Sequence, residues 1–328
     1  MASATAPTAA PGAVPGAVPG AVPGTTRPAG AASAGTPAVA RADAVSLHRV
    51  ERPGSAGLGA WLALPAVPAP GAVPLVAIHG ISRGARAQAE AFAARAAATG
   101  RPVIAPDFDT RRWPRFQQVV REGRADLALI GLLDELRLEG IVQAPRVDLA
   151  GYSAGAQFAH RFAMLHPRHV GRLTLVAAGW YTHPDTRPFP YGLAPADAAQ
   201  AGTAEASLPG GDWGGIMQAR LGEYLARPIT VAVGAGDNVV DRHTRTGPVL
   251  ERQQGATRLD RARRYVEVLG AEAASRGLPS PRLAVLPGAG HDFGACLRAG
   301  LVPLILPAAG QAPAGSLPAT ATHPVTDR

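Results

Sequence analysis

Gly151-Tyr152-Ser153-Ala154-Gly155 stands where an extended apolar run, Val147-Asp148-Leu149-Ala150, gives way to a helical pattern. A G-x-S-x-G pentapeptide between a strand and a helix is a nucleophile elbow: the glycines permit a sharp turn, and the turn pushes the serine hydroxyl clear of the sheet. In a chain with 39 Gly, composition alone supplies about 0.14 such pentapeptides, so the flanking sequence has to carry the assignment.

Working outward, short β-type runs recur at 45–50, 60–64, 75–79, 103–105, 147–150, 173–177, 229–233 and 283–286. Helical stripes lie between most of them. Leu129, Leu132, Leu133 and Leu136 fall at i, i+3, i+4 and i+7, and Phe158, Phe162 and Leu165 repeat the spacing directly after the elbow. Leu259, Ala262, Val266, Leu269 and Ala273 form a third stripe, with Gly277 as its stop. Strands alternating with helices predict an α/β fold with a mostly parallel central sheet covered on both faces. The first two runs have no helix between them, which predicts an antiparallel start.

A serine hydroxyl is a poor nucleophile until a base takes its proton, and the base needs an acid to orient it. Both partners are found past later strands. The run 229–233 leads into Gly234-Ala235-Gly236-Asp237, and the run 283–286 leads into Pro287-Gly288-Ala289-Gly290-His291. Each side chain then sits on a loop at the carboxyl end of a strand, where open α/β sheets place their chemistry. Asp237 is the first choice for the acid, with Asp241 as the alternative. An oxyanion hole needs backbone donors, and the N–H groups of Ala154, just after the serine, and Ile81, after the His79-Gly80 turn, are the candidates. His79 is expected to fix that turn by hydrogen bonds, and His160 to be a satisfied packing residue. His48, His169, His243 and His323 are given no role.

The balance of +8 comes from 32 basic residues, all arginine. They are scattered, without the aromatic interleaving of a nucleic-acid surface, so no nucleic-acid partner is expected. The dense group Arg258 to Arg264 falls on the polar side of the third helical stripe and reads as solvated surface. A single cysteine, Cys296, excludes an internal disulfide and reads as an inert buried thiol. No apolar run approaches the ~18 residues of a membrane span, and no His/Cys/Asp cluster has metal-ligand spacing. The first basic residue is Arg27, and prolines interrupt the region where a signal peptide would have its apolar stretch, so a cytoplasmic location is expected. Residues 1–44, which include the four-residue Pro11-Gly12-Ala13-Val14 repeat, are predicted to be a disordered tail, as are residues 308–328. The catalytic domain is then 45–307.

The segments His79-Gly80-Ile81-Ser82-Arg83, Pro106-Asp107-Phe108, Gly151 to Phe158 and Gly290-His291-Asp292 resemble the α/β-hydrolase superfamily. More narrowly, His160-Arg161-Phe162, Gly179-Trp180-Tyr181, Pro190-Tyr191-Gly192-Leu193 and Gln254-Gly255 look like a bacterial group related to polyhydroxybutyrate-depolymerase-like and feruloyl-esterase-like enzymes. The resemblance, over about 45 to 306, implies Ser153 as nucleophile, Asp237 as acid and His291 as base. This chain departs from the group at Asn238, where relatives tend to carry a second acidic residue; Asp241 comes later, and the acid stays open between Asp237 and Asp241. Residues 181–227 are long for a crossover and predict a partial lid. Trp180, Tyr181, Tyr191 and Trp213 are candidates to line an acyl pocket. The expected activity is cofactor-free hydrolysis of a small-molecule carboxylic ester, with an acyltransferase, thioesterase or peptidase on the same triad, or a non-catalytic ligand-binding relative, as the alternatives.

Overall fold

The computed structural model describes residues 44–52, 57–121, 123–195 and 211–307. Within them one sheet contains β1 (Val45–Val50), β2 (Gly59–Pro65), β3 (Leu75–Ile78), β4 (Val103–Asp107), β5 (Val147–Tyr152), β6 (Val170–Val176), β7 (Ile229–Gly234) and β8 (Arg282–Leu286). The spatial order is β1-β2-β4-β3-β5-β6-β7-β8. β1 and β2 run antiparallel, β2 meets β4 antiparallel, and every later pair is parallel. This is the mixed, mostly parallel sheet with an antiparallel start that the sequence predicts.

Burial follows position in the sheet. Interior strands β3 and β7 are buried along their whole length, as strands covered on both faces must be. Edge strand β1 mixes exposed and half-buried residues. Alternate residues of β3 enter different cores: Val76 and Ile78 one, Leu75 and Ala77 the other. The first core is packed by α2 (Ala125–Leu138), α3 (Ala154–Leu165) and α7 (Arg258–Ser275). The second is packed by α1 (Ala85–Thr99) and the short turns α8 (Phe293–Cys296) and α9 (Val302–Ile305). Between β6 and α7 lie α4 (Trp213–Ala219), α5 (Leu221–Leu225) and, past β7, α6 (Pro248–Gln254). The four leucines of the α2 stripe are fully buried; each contributes about 1.5–3 kcal/mol of apolar transfer.

α7 starts and stops on sequence signals. Thr257 and Asp260 form a reciprocal capping box at its N-terminus. At the other end Gly277 takes φ +65°, and the N–H groups of Gly277 and Leu278 donate to Ala274 and Ala273, closing the last turn.

The predicted tails, 1–44 and 308–328, lie outside the described part except for Ala44, whose carbonyl accepts from Ala66 N–H. The middle of the expected lid, 196–210, is outside it too. The described flanks of that segment are fixed to the body. The Thr182 hydroxyl donates to Pro190 O, and Gln253 Nε2 donates to Tyr191 O and to the Asp185 carboxylate.

Candidate active site

Ser153 sits between β5 and α3 at φ +55° and ψ −112°, a conformation that costs a residue with a side chain about 1–3 kcal/mol. The surroundings hold it there. Its N–H donates to Val176 O at 2.8 Å, and its carbonyl accepts from the N–H groups of Ala156 and Gln157. The glycines are required by space. A Cβ on Gly155 would lie 2.3 Å from Ile78 O, and one on Gly151 would lie 2.2 Å from Gly155 O. That contact at Gly155 presses the elbow against the end of β3, and so beside the loop that begins at His79.

His291 reaches the serine from the far end of the sheet. Its Nε2 is 3.1 Å from Ser153 Oγ, and its Nδ1 is 2.8 Å from Asp237 Oδ2. A carboxylate at Nδ1 fixes the proton there and leaves the Nε2 lone pair facing the hydroxyl. The imidazole also stacks on Tyr152, with ring centroids 5.4 Å apart. The loops after β7 and β8 are tied to each other, since Gly236 N–H donates to Ala289 O. The structure thus brings Ser153, His291 and Asp237 together.

Asp241 is placed elsewhere: its two carboxylate oxygens accept from Arg258 at 3.0 and 3.1 Å. The same guanidinium reaches Asp237 Oδ1 at 3.2 Å. The reading of Arg258 to Arg264 as solvated surface is therefore wrong at two positions. Arg258 is 2% exposed and Arg261 fully buried. Arg261 faces inward to donate to the carbonyls of Gly179, Arg245 and Gly255. A helix can bury arginines on its inner side when the loops above it offer carboxylates and free carbonyls, and spacing alone does not register such partners.

The histidines expected to be structural behave so. Phe108 N–H donates to His79 Nε2, and Nδ1 faces Gly80 O. Thr182 N–H donates to His160 Nε2, and Nδ1 faces Ala156 O. In each case the accepting Nε2 places the proton on Nδ1. Burial lowers His79 to about 4 and takes His160 well below its ordinary value.

A cavity of about 450 Å³ opens over Ser153. Ile81 and Ala154 line it, as do Gln117, Gln157 and His243. The four aromatic residues assigned to a pocket do not. Trp180 packs on the Arg161 guanidinium and tilts against Tyr191. Tyr181 stacks on Tyr265 at 4.1 Å between centroids, and Trp213 packs against the core beneath Arg124. Aromatic character alone does not decide between a pocket and the interior: α3 and α7 hold Trp180 and Tyr181 in the interior, and Tyr191 and Trp213 are half-buried away from the cavity. His243, given no role from sequence, lies in the cavity wall because the Asp241 carboxylate accepts its N–H and turns the chain there. An aspartate two residues before it was the available signal.

A mainly parallel sheet that passes into a helix through a positive-φ serine is the α/β-hydrolase fold. Solved structures of that fold lie close to it. A poly(3-hydroxybutyrate) depolymerase from Bordetella parapertussis superposes with a TM-score of 0.63 at 25% identity, over 80% of this chain and 89% of that one. Poly(aspartic acid) hydrolase-1 from Sphingomonas sp. KT-1 gives 0.64 at 24% identity, over 79% and 98%. In sequence, 118 residues are 36% identical to 2-hydroxy-6-oxononadienedioate/2-hydroxy-6-oxononatrienedioate hydrolase 2 of Pseudomonas putida; the match spans 33% of this chain and 37% of that relative. No known family profile matches the chain. The chain has the α/β-hydrolase fold.

Proposed function

We propose that this chain cleaves carboxylic esters by way of an acyl-enzyme, with Ser153, His291 and Asp237 as its triad. The observation that carries this is the unbroken line of hydrogen bonds from buried Asp237 through His291 to Ser153 Oγ, which faces an open cavity. Ser153 Oγ attacks the ester carbonyl while His291 Nε2 takes its proton, and Asp237 stabilises the imidazolium that forms. The N–H groups of Ile81 and Ala154 are the proposed donors to the oxyanion. Collapse expels the alcohol, which takes the proton back from Nε2. Water, deprotonated by the same nitrogen, then releases the acid. No step calls for a cofactor. The likeness to a poly(3-hydroxybutyrate) depolymerase supports an ester as the bond cut.

The test is hydrolysis of p-nitrophenyl esters, acetate through long chains, beside labelling with a fluorophosphonate. Turnover and labelling are expected, and Ser153→Ala should lose both, turnover by at least about 1,000-fold. Labelling at Ser153 without ester turnover would move the reading to another acyl donor. Folded protein that does neither would overturn it.

A further inference from the structure

Arg258 is a buried cation with two anionic partners of different kinds. Its guanidinium touches Asp237 on the oxygen that His291 does not use, and it chelates Asp241 through both nitrogens. Arg258 and Asp237 are each 2% exposed at the side chain, whereas Asp241 is 37% exposed. Helix α7 delivers the group: Arg258 is its first residue, set by the Thr257–Asp260 capping box, and the N–H of Leu259 donates to the Asp237 carbonyl. Asp237 is thus held at its backbone by the start of α7 and at its side chain by the residue before Leu259.

We infer that Arg258 and Asp241 form a positioning pair that fixes the Asp237 carboxylate and sets how basic His291 is. This rests on the triad reading above. A guanidinium on Oδ1 leaves Oδ2 as the acceptor turned to the imidazole. Its positive charge also offsets part of the attraction between Asp237 and a protonated His291. Asp241 in turn neutralises part of that charge. Asp241 is held below the usual carboxylate range by its hydrogen bond from Arg258, against the effect of burial. Burial tends to lower Arg258, but the two carboxylates outweigh it and raise it. Both shifts favour the charged forms of the pair.

The groups that face His291 are few. Ser153 and Asp237 bond to it, Tyr152 stacks on it, and Asp292 follows it in sequence. His243 and Arg258 share the cavity, and Cys296 lies behind the loop, with Sγ 3.9 Å from Gly290 O. Burial raises both Tyr152 and Cys296, so they stay neutral where the enzyme works. The charges that remain to act on the imidazole are Asp237, Asp292, Arg258 and Asp241.

Removal of the two members of the pair should act in opposite directions. Arg258→Gln deletes a positive charge near His291, which favours the protonated ring, so the acid limb of kcat/KM moves to higher pH. Asp241→Asn leaves Arg258 uncompensated, which disfavours the protonated ring, so the limb moves to lower pH. Each shift is expected at about 0.5–1 pH unit. Arg258→Lys should restore most of the wild-type position. The experiment is the pH profile of p-nitrophenyl ester hydrolysis, with an NMR titration of the His291 ring in the same proteins. Opposite displacements support the pair. A limb and a titration that move the same way in both variants, or in neither, overturn it, because a simple strut would lower activity without moving either. Asp241→Asn changes a partly exposed side chain and carries the test if Arg258→Gln fails to fold. The NMR titration reads the pair even in a protein that hydrolyses no ester, which separates failure of this inference from failure of the triad reading.

Discussion

Ser153 pays in backbone strain for the exposure of its hydroxyl, and that strain is measurable. Ser153→Ala keeps the positive φ and a Cβ; Ser153→Gly relieves both. Both variants should be inactive, but the glycine form should be the more stable by about 1 kcal/mol in urea denaturation. Equal stability would mean that the elbow relaxes when its side chain is changed. Gly155→Ala tests the close approach to β3. Its methyl would meet backbone carbonyl oxygens that cannot swing away, so a loss of about 3 kcal/mol or failure to fold is expected. Gly80→Ala meets Tyr152 Cδ1 at 3.3 Å, a side-chain atom, and should cost clearly less. At this scale much was legible in the sequence. The glycine pattern marks the elbow, and chain order nominates the residues that the structure brings to it. Sequence favours Asp237 as the acid but leaves Asp241 open, because both follow the same strand. What separates them is Arg258, and a charged residue at the start of a helix looks solvated until the loops above it are known.

Among the elements, α7 links stability to the site. Thr257→Ala removes a side chain that accepts from Asp260 N–H and bonds its carboxylate, and it should destabilise the protein by about 1 kcal/mol. Because the same turn positions Arg258 and bonds Asp237 O, the variant should also lose turnover under conditions where it is fully folded. A stability loss without any change in kcat would mean that the helix start is free of the acid loop. Helix stripes and strand runs were readable because their apolar periods are unbroken, as in Leu129 to Leu136. Strand ends were not. β6 begins at Val170, three residues before the predicted run, since Gly171 and Arg172 interrupt its apolarity while Arg172 N–H is satisfied by Asp148. Trp180 and Tyr181 pack in the interior rather than lining the cavity for a related reason. Aromatic residues near a site in sequence fill whichever concavity is nearest in space, and here that is the interior between α3 and α7.

Across the whole molecule, buried neutral imidazoles set an acid limit. Burial lowers His79 and His183 to about 4 and His160 further. Between pH 6.5 and 4 the unfolded chain binds protons there that the folded chain does not, so stability is present above this window and lost as the pH falls through it. Each group contributes up to about 1.4 kcal/mol per pH unit. The urea midpoint should therefore be clearly lower at pH 5 than at pH 7. An unchanged midpoint would contradict the neutral state of these rings. Cys296 has a separate consequence. It is the chain's only thiol, it is fully buried, and burial pushes it up to about 11. A thiol reagent can therefore react only while the segment behind the histidine loop swings open. Its labelling rate, followed with and without a bound acyl group on the serine, would serve as a clock for how often this end of the sheet breathes and whether catalysis changes the tempo.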